Sequence, residues 1–284
     1  MSVDTDLRHY GGLISVVIPA FNEAALVERC LRETVEALEE LGCRYEVILV
    51  DDGSEDSTLE LARAAAERIP HVRVLGHEVN LGKGSAIQGG ALAARGDLVL
   101  TMDADLEVHP RQLALLYETL VRTGADVVIG SKLHPESRTE VPAGRRTLTV
   151  GYYVLVRVLF RLPVHDTQTG LKLYKREALM RVMPRLLVKH FAYDLELLVN
   201  LHREGYRIVE APVVVTRVRA FPRIGPRDAW MVGLDTAAIW YRTYLRHWYD
   251  KQAAELESAS ADGQLDGAPP EAGLDDRERE PERA

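Results

Sequence analysis

The sequence predicts an α/β protein with a mostly parallel central sheet flanked by helices. Apolar, β-branched runs at 14–20 and 45–50 are typical of buried strands. The segment between them repeats apolar residues every three or four positions, as a helix packed on a sheet does. Two predicted strands also end in acidic residues, which places polar groups along one edge of an apolar layer. This alternation of strand and helix is typical of doubly wound sheets.

The alternation continues along the chain. Gly42 ends the first helix, and the turn after the second strand leads into another helix. Further strands are predicted at 71–76, 98–102, 126–130 and 206–215, with a short one close to 165–174. Later helices are predicted at 112–121, 148–162, 191–201 and 228–249.

Composition excludes several classes of protein. The chain has 284 residues, 46% of them hydrophobic, which is enough for a substantial core. Its net charge of −8 falls largely in the tail after Asp250, and the absence of a compact Lys-rich patch disfavours nucleic-acid binding. We expect Cys30 and Cys43 to be reduced thiols in a cytoplasmic protein. The start of the chain has no apolar leader pattern, and no run of about 18 apolar residues predicts a membrane span.

The segment 97–110 contains the motif that points most directly to a metal site. Asp103 and Asp105 are one residue apart, so on a strand their carboxylates point the same way and can converge on one cation. Mg²⁺ and Mn²⁺ prefer oxygen ligands, and Mg²⁺ usually keeps substrate phosphates in its shell. The simpler interpretation is a solvated strand end before the helix that Pro110 opens. The second acidic pair, Asp51 and Asp52, favours a metal and nucleotide site, because both pairs fall on one edge.

A glycine-rich turn at 80–86 precedes a helix and contains Lys83. Its backbone amides and one ammonium group are suited to a phosphate at a helix N-terminus. The spacing matches neither a P-loop nor a dinucleotide-binding turn, so an ordinary glycine turn is an equal alternative. The polar segment 134–146 is a candidate lid.

Two helical segments combine apolar and aromatic residues with arginine. The segment 148–162 is either a core helix or a helix at a membrane surface. The segment 228–249 fits an interfacial helix, a dimer seam or a helix folded on the domain. Arginines at 217, 219, 223 and 227 could bind phosphate, although a solvated loop explains them too. Asp194 and Glu196 begin another helix, where the dipole accounts for Glu196.

The order of these motifs resembles a known family. VVIPAFNEA, VDDGSEDST, NLGKGSA, MDADLE, VIGSK, DTQTGLKLY and FAYDLELL together resemble a family-2 glycosyltransferase with the GT-A fold, over about residues 13–225. Within that family the chain is similar to the polyprenyl-phosphate hexosyltransferases, the dolichyl-phosphate glucose and mannose synthases.

The resemblance implies roles for individual residues. Pro19, Phe21 and Glu23 match the motif that lines the nucleotide pocket, and Val50 and Asp52 match the part that contacts base and ribose. Asp103, Ala104 and Asp105 match the D-x-D element, with Asp105 the principal ligand of Mg²⁺ or Mn²⁺. Glu107 stands where Gln is common and could also reach the metal. Lys132 replaces the usual arginine of a G-S-R motif and keeps its charge. Further phosphate contacts are expected from Lys83 and, for the acceptor, from Arg217, Arg219 and Arg223.

The implied reaction is an inverting transfer of a hexose from a nucleotide diphosphate sugar, UDP-glucose or GDP-mannose. Charge building on the leaving diphosphate would be stabilised by the cation and by nearby Lys or Arg. A polyprenyl phosphate acceptor is already ionised and needs no strong base. A hydroxyl acceptor, as in a soluble family-2 enzyme, would need one, and Asp194 is the candidate. A sugar-binding protein without catalysis and a nucleotidyltransferase are less favoured, because the D-x-D acids are intact and PAFNEA lacks a basic glycine loop.

The expected organisation is an N-terminal extension (1–12), a GT-A domain (13–226), an amphipathic C-terminal helix (227–250) and a disordered acidic tail (251–284). The surface helices predict a peripheral protein at the cytoplasmic face of a membrane. A homodimer is compatible with the last helix.

Overall fold

The computed structural model describes residues 4–138, 143–190, 192–215 and 226–261. Within these ranges a single mixed sheet of seven strands forms the centre of the molecule. In chain order the strands are β1 (Leu13–Ala20), β2 (Arg44–Asp51), β3 (Val72–Gly76), β4 (Leu98–Thr101), β5 (Val127–Ser131), β6 (Lys172–Lys175) and β7 (Ile208–Pro212).

The strands are arranged in the order β3-β2-β1-β4-β6-β5-β7. β1, β2, β3 and β4 are mutually parallel where they pair, and β5 is parallel to β7. β6 lies antiparallel to both β4 and β5. The predicted α/β class and the mostly parallel sheet are therefore confirmed, with β6 as the reversed strand.

Helices cover both faces of this sheet. The helices are α1 (Val27–Leu41), α2 (Thr58–Ala66), α3 (Lys83–Ala93), α4 (Leu113–Thr123), α5 (Ala143–Phe160), α6 (Arg176–Val182), α7 (Tyr193–Arg203), α8 (Pro226–Trp240) and α9 (Trp248–Ala261). Alternate residues of β1 belong to opposite cores, as a strand buried on both faces requires. Val16 packs with α1, α2 and α4, whereas Val17 packs with α3, α6 and α7.

The strand register brings the acidic motifs to one edge. Ala20 at the end of β1 pairs with Asp51 at the end of β2, and Val17 pairs with Thr101 at the end of β4. Because β6 runs the other way, its first residue, Lys172, also pairs with Thr101. The loop before β6 therefore meets the two acidic turns at the carboxyl edge of the parallel strands, where open α/β sheets bind ligands.

The C-terminal boundary of the last helix differs from its prediction. After α8 the chain forms a π-helical segment, Tyr241–Leu245, and α9 then continues to Ala261. The assignment of 251–261 to a disordered tail is thus wrong. Ala, Gln and Glu dominate this stretch and have high intrinsic helix propensity, although it lacks the apolar periodicity on which the prediction relied. The remainder of the predicted tail lies outside the described residues.

At the other end, β1 begins at Leu13, where the predicted domain starts. The extension before it contains a short 3-10 helix, Leu7–His9, and Leu7 is buried in the core under α1 and α4. Cys30 and Cys43 are buried free thiols.

Helices α5 and α8 are partly core and partly surface. Val156, Phe160 and Ile239 are buried, which fits the core interpretation. Large apolar side chains on the same two helices and on the π-helical segment are exposed, and we call this set the apolar surface. It comprises Val154, Leu155, Val158, Trp230, Met231, Leu234, Tyr241, Tyr244 and Leu245. None of the helices in the described ranges combines the length and apolar content required to cross a bilayer.

Candidate functional site

A cleft of about 400 Å³ opens at the carboxyl edge of the sheet. Its walls come from the end of β1, the turn after β2, the glycine-rich turn before α3, the turn after β4 and the segment before α7. The lining residues are Pro19, Ala20, Phe21, Asn22, Glu23, Asp52, Asn80, Gly82, Lys83, Asp103 and His190. The structure therefore brings together Pro19, Phe21, Glu23, Asp52, Lys83 and Asp103, which the sequence assigned to nucleotide-sugar binding.

Two other predicted nucleotide contacts lie beneath the cleft. Val50 is fully buried in β2 and packs on α3, and Ala104 is buried in the opposite core. The side chain of Val50 therefore does not face the cleft, and a base or ribose contact at this position stays a prediction. Val50 ends the apolar run of β2 and precedes two acids, and its burial in the core is favourable because it removes apolar area from water.

Asp52 organises the glycine-rich turn. One carboxylate oxygen accepts hydrogen bonds from Leu81 N at 3.0 Å and lies 2.8 Å from His77 Nδ1. The other accepts one from Gly82 N at 2.8 Å. Asp52 and His77 are both buried, so these bonds are shielded from water. Asp52 thereby fixes the backbone that presents Lys83 to the cleft.

The glycine-rich turn also needs a close approach to the segment before α7. Gly82 has φ +100°, and a Cβ there would lie 2.4 Å from the carbonyl oxygen of Lys189. Any other residue would clash, which gives this glycine a steric role. The Lys189 carbonyl accepts a 2.7 Å hydrogen bond from Gly84 N. The contact holds Lys83 and His190 on neighbouring walls of the cleft.

The D-x-D carboxylates lie beside lysine side chains. Lys83 Nζ is 2.7 Å from Asp103 Oδ1, and Lys132 Nζ is 2.7 Å from Glu107 Oε2. Asp105 Oδ1 accepts a 3.0 Å hydrogen bond from Glu107 N, which stabilises the turn after β4. The three acids and Lys132 line one small pocket adjoining the cleft. The four side chains of the two ion pairs are each about one quarter exposed.

Gly170 permits the close packing of Asp103. A Cβ at Gly170 would lie 2.4 Å from Asp103 Oδ2, so the turn before β6 touches the carboxylate directly. Thr101 Oγ1 donates a 3.1 Å hydrogen bond to the Gly170 carbonyl. The turn that leads into the reversed strand β6 therefore fixes the position of Asp103 on the side away from the cleft.

The donor set suits a divalent cation shared with a substrate. Within the described ranges, no group of three His, Cys, Asp or Glu side chains is arranged to enclose a metal by itself. Mg²⁺ is commonly held by one or two carboxylates together with substrate phosphates, and such a site needs no complete protein cage. Asp103 and Asp105 supply hard oxygen atoms beside the cleft, so these residues fit the predicted Mg²⁺ or Mn²⁺.

The DTQTG motif, residues 166–170, holds the backbone of Lys132 in place. Asp166 Oδ2 accepts a 2.9 Å hydrogen bond from Lys132 N, and it also accepts one from Thr169 Oγ1. Glu210 on β7 in turn accepts hydrogen bonds from His165 N and Asp166 N, at 2.9 and 3.0 Å. The conformation at Lys132 therefore depends on β5, the turn before β6 and β7 together.

Asp194 is engaged by a buried lysine. Lys172 is fully buried, and its Nζ lies 2.6 Å from Asp194 Oδ1 while also donating to the carbonyl of Thr169. The side chain of Asp194 is 9% exposed. The structure thus gives Asp194 a charge partner that the sequence did not indicate, since the two residues are on β6 and α7.

Glu196 does more than complement a helix dipole. It is fully buried, and its carboxylate accepts hydrogen bonds from Leu187 N, Val188 N and the hydroxyl of Tyr249 on α9. Burial raises the pKa of Glu196 above its ordinary value of 4.5, and the hydrogen bonds oppose that rise. Glu196 therefore ties the segment before α7 to the C-terminal helix.

Sequence analysis did not assign Ala20, Asn22 or His190 to the cleft, and it included Asn80 and Gly82 only as part of the glycine-rich turn. Asn22 has φ +54°, and its side-chain oxygen accepts a 2.9 Å hydrogen bond from Glu55 N. Asparagine tolerates this left-handed conformation, so its position after the first strand was a usable signal. His190 directly precedes the FAYDLELL motif but has no signal of its own, and only the fold brings it near Lys83. Arg217, Arg219 and Arg223 lie outside the described residues.

Comparisons with known proteins agree with this architecture. Residues 15–183 match the family model for glycosyl transferase family 2. Glycosyltransferase AglD of Haloferax volcanii is 36% identical over 203 residues, which cover 70% of this chain and 32% of that protein. Dolichyl-phosphate beta-glucosyltransferase ALG5A of Trichomonas vaginalis is 34% identical, covering 70% of this chain and 64% of its own. The chain thus spans between about a third and two thirds of these relatives.

The human dolichyl-phosphate beta-glucosyltransferase is 30% identical over 270 residues, covering 86% of this chain and 79% of its own. Among solved structures, glucosyl-3-phosphoglycerate synthase from Mycobacterium tuberculosis, in complex with Mn²⁺, UDP and glucosyl-3-phosphoglycerate, superposes with a TM-score of 0.61 at 25% identity. That match covers 84% of this chain and 81% of the synthase. Because the family model spans more than half of its length, the chain belongs to glycosyl transferase family 2, and its sheet and helices have the GT-A fold.

Proposed function

We propose that this protein transfers a hexose, glucose in preference to mannose, from a nucleotide diphosphate sugar to a polyprenyl phosphate at the cytoplasmic face of a membrane. The glucose assignment is supported by relatives named dolichyl-phosphate beta-glucosyltransferases. The nucleotide is proposed to be UDP, which the structurally similar synthase binds.

The observation that carries the lipid acceptor is that α5, which bears part of the apolar surface, meets the turn before β6 that holds Lys132. Tyr152, Tyr153 and Val156 of α5 line a small pocket together with the turn 165–168. Asp166 of that turn binds the backbone of Lys132, which lies beside the D-x-D acids. A lipid resting on the exposed side chains of α5 and α8 would thus have its phosphate close to the donor.

The reaction proposed is a single displacement at C1 of the hexose. An oxygen of the acceptor phosphate forms the new bond to C1, the bond from C1 to the diphosphate oxygen breaks, and its electron pair leaves with the nucleoside diphosphate. Attack on the face opposite the leaving group inverts the configuration at C1. A phosphate acceptor is ionised at neutral pH, so no proton has to be removed.

Residues of this chain would bind and orient the donor. Pro19, Phe21 and Glu23 form the wall for the nucleoside, and Lys83 and Lys132 offer ammonium groups to the diphosphate. Asp103 and Asp105, with Glu107 nearby, would hold Mg²⁺ or Mn²⁺. That cation, when bound, neutralises charge on the departing diphosphate.

The environment of Asp194 supports a phosphate acceptor over a hydroxyl one. A general base needs a carboxylate that can take a proton from the acceptor. The Asp194 carboxylate is instead paired with Lys172 at 2.6 Å and is almost entirely buried. We propose that Asp194 maintains the turn before β6, through Lys172 and the carbonyl of Thr169, and does not deprotonate the acceptor.

The test is incubation of the purified protein with radiolabelled UDP-glucose or GDP-mannose, polyprenyl phosphate in liposomes, and Mn²⁺ or EDTA. Label in the organic-extractable lipid from UDP-glucose, lost with EDTA, is the expected result. Label found only in a water-soluble glycoside, with no flotation of the protein on liposomes, would overturn the lipid acceptor. Hydrolysis or transfer that is insensitive to EDTA would overturn the proposal that the reaction needs a divalent metal.

A further inference from the structure

Two of the three acids predicted to hold a metal are paired with the lysines predicted to hold the diphosphate. Asp103 is bound by Lys83 and Glu107 by Lys132, each at 2.7 Å. Lys83 and Asp103 line the cleft, and Asp103, Glu107 and Lys132 line the small pocket that adjoins it. Two sets of charges assigned to different ligands therefore neutralise each other in this structure.

We propose that Lys83 and Lys132 act as exchangeable counter-charges that make the divalent cation and the nucleoside diphosphate bind as a pair. In the free protein the ammonium groups lie on the acids and lower their attraction for a cation. When cation and diphosphate enter together, the cation takes the carboxylates and the lysines move to phosphate oxygens. This inference rests on the proposed function, because it concerns the same donor site.

Electrostatics explains why the exchange favours joint binding. A divalent cation alone must displace or approach two ammonium groups, and like charges at such short range repel one another. A diphosphate alone would pull the lysines away and leave carboxylates facing its own negative charge. With both ligands present, every charge has an opposite partner, so each ligand raises the affinity for the other by the same factor.

The geometry permits the exchange at modest cost. The paired side chains are about one quarter exposed, so water reaches them and weakens the attraction within each pair. Lysine is a point charge on a flexible stem with three donors, so its ammonium group can change partner without a fixed fork geometry. The backbone on both sides is held: Asp52 fixes the turn before Lys83, and Asp166 fixes the nitrogen of Lys132.

The proposal gives Lys83 and Lys132 opposite effects on the two ligands. Removing an ammonium group by Lys83→Met or Lys132→Met strengthens Mn²⁺ binding measured without nucleotide and weakens UDP binding. A merely structural role for these lysines would weaken both. Lys83→Arg keeps the charge and is expected to behave like the wild type in the Mn²⁺ measurement.

The experiment uses the full chain and measures binding, not turnover. Free Mn²⁺ is followed by electron paramagnetic resonance in a titration with and without UDP, and UDP affinity is measured by calorimetry with and without Mn²⁺. The wild type is expected to show reciprocal enhancement of about five- to 150-fold, the usual range for coupled sites. In Lys83→Met and Lys132→Met, Mn²⁺ affinity without UDP rises about fivefold or more and the enhancement by UDP shrinks.

Lys175→Met is the matched control. Lys175 forms a comparable 2.8 Å pair with Asp126, but it lies at the far end of β6, opposite Leu98. Its removal is expected to leave both affinities unchanged, and thermal melts of each variant establish that it is folded.

Two outcomes would contradict the account in different ways. If Mn²⁺ and UDP bind together to the wild type but neither lysine variant gains Mn²⁺ affinity, the charge exchange is wrong and the proposed function stands. If the wild type binds neither ligand, singly or together, the proposed function and the charge exchange both fail.

Discussion

The donor cleft and the apolar surface are built on opposite principles. In the cleft and the small pocket adjoining it, charged side chains are paired with one another: Lys83 with Asp103, and Lys132 with Glu107. On α5 and α8, large apolar side chains such as Val158 and Trp230 are 72% and 69% exposed. The cleft thus has its charges positioned before a ligand arrives, whereas the apolar surface has groups suited to a partner from outside the chain. The difference separates the proposed donor binding from the proposed membrane contact, so that mutations can remove each one alone.

The largest effect is expected from Asp105→Asn in the donor cleft. The change removes the charge that the resemblance identifies as the principal metal ligand while keeping the shape of the side chain. Loss of several kcal/mol of transition-state stabilisation corresponds to a fall in kcat/KM on the order of a thousandfold. Transfer assays with saturating Mn²⁺ measure it.

Asp97→Asn is the control, because Asp97 precedes β4 at the opposite end of the strand and accepts a hydrogen bond from Leu13 N. Equal losses in the two variants would mean that Asp105 acts through stability and not through the reaction.

Stability of the site is expected to depend most on the pair between Lys172 and Asp194. Replacing one partner leaves the other charge buried, so Lys172→Met should lower the free energy of unfolding by about 3 kcal/mol. Chemical denaturation measures the loss. The double variant Lys172→Met with Asp194→Asn buries no charge and should recover a large part of the stability.

The same double variant sharpens the question of the acceptor. With a phosphate acceptor its turnover should stay within about tenfold of the wild type, since no base is required. A general base typically contributes 10² to 10⁴, so a collapse of about that size in a stably folded protein would favour a hydroxyl acceptor.

The apolar surface predicts a separable loss of membrane binding. Trp230→Glu and Val158→Glu each replace an exposed apolar group by a charge, and burying such a side chain is worth about 1.5–3 kcal/mol. Liposome flotation should fall by about tenfold or more for either variant, while calorimetric UDP affinity is unchanged. Leu61→Glu on α2 is the control, because Leu61 is also exposed but lies away from this surface. If both test variants float with liposomes as well as the wild type does, the apolar surface is not the membrane-binding surface.

The smallest effect concerns pH and Glu196. Its native pKa is raised by burial, so the native state binds the proton more tightly than the unfolded chain. The stability from this group is full below pH 4.5 and is lost as pH rises toward the native pKa. The unfolding free energy of the wild type minus that of Glu196→Gln should therefore decrease from pH 4 to pH 7.5. A constant difference across that range would show that burial does not perturb Glu196.

The local sequence pattern was sufficient to predict the parallel strands of the sheet and many of the residues that line the cleft. Apolar runs that end in acids placed Asp52 and Asp103 at one edge, because parallel strands align their carboxyl ends. The family resemblance, by contrast, assigned Val50 to the part that contacts base and ribose, whereas its side chain is buried in the core.

Partners distant in sequence were beyond that reasoning. Lys172 and Asp194 meet because the reversed β6 starts at the edge of the sheet where α7 also begins, and neither residue has a local signal for the other. Glu196 meets Tyr249 on α9, a helix whose end was predicted too early. Likewise, His190 reaches the cleft only because Gly82 allows the backbone to approach Lys189. These contacts follow from topology, which the sequence pattern leaves open.

The central claim is that Asp103 and Asp105 hold a divalent cation bridging the phosphates of a sugar nucleotide. A crystal grown with UDP and Mn²⁺, measured at the manganese absorption edge, tests it most directly. The account predicts an anomalous peak at about 2.1 Å from an Asp105 carboxylate oxygen, shared with the diphosphate. A well-defined UDP with no manganese peak there, or with both carboxylates turned away from it, would contradict the account.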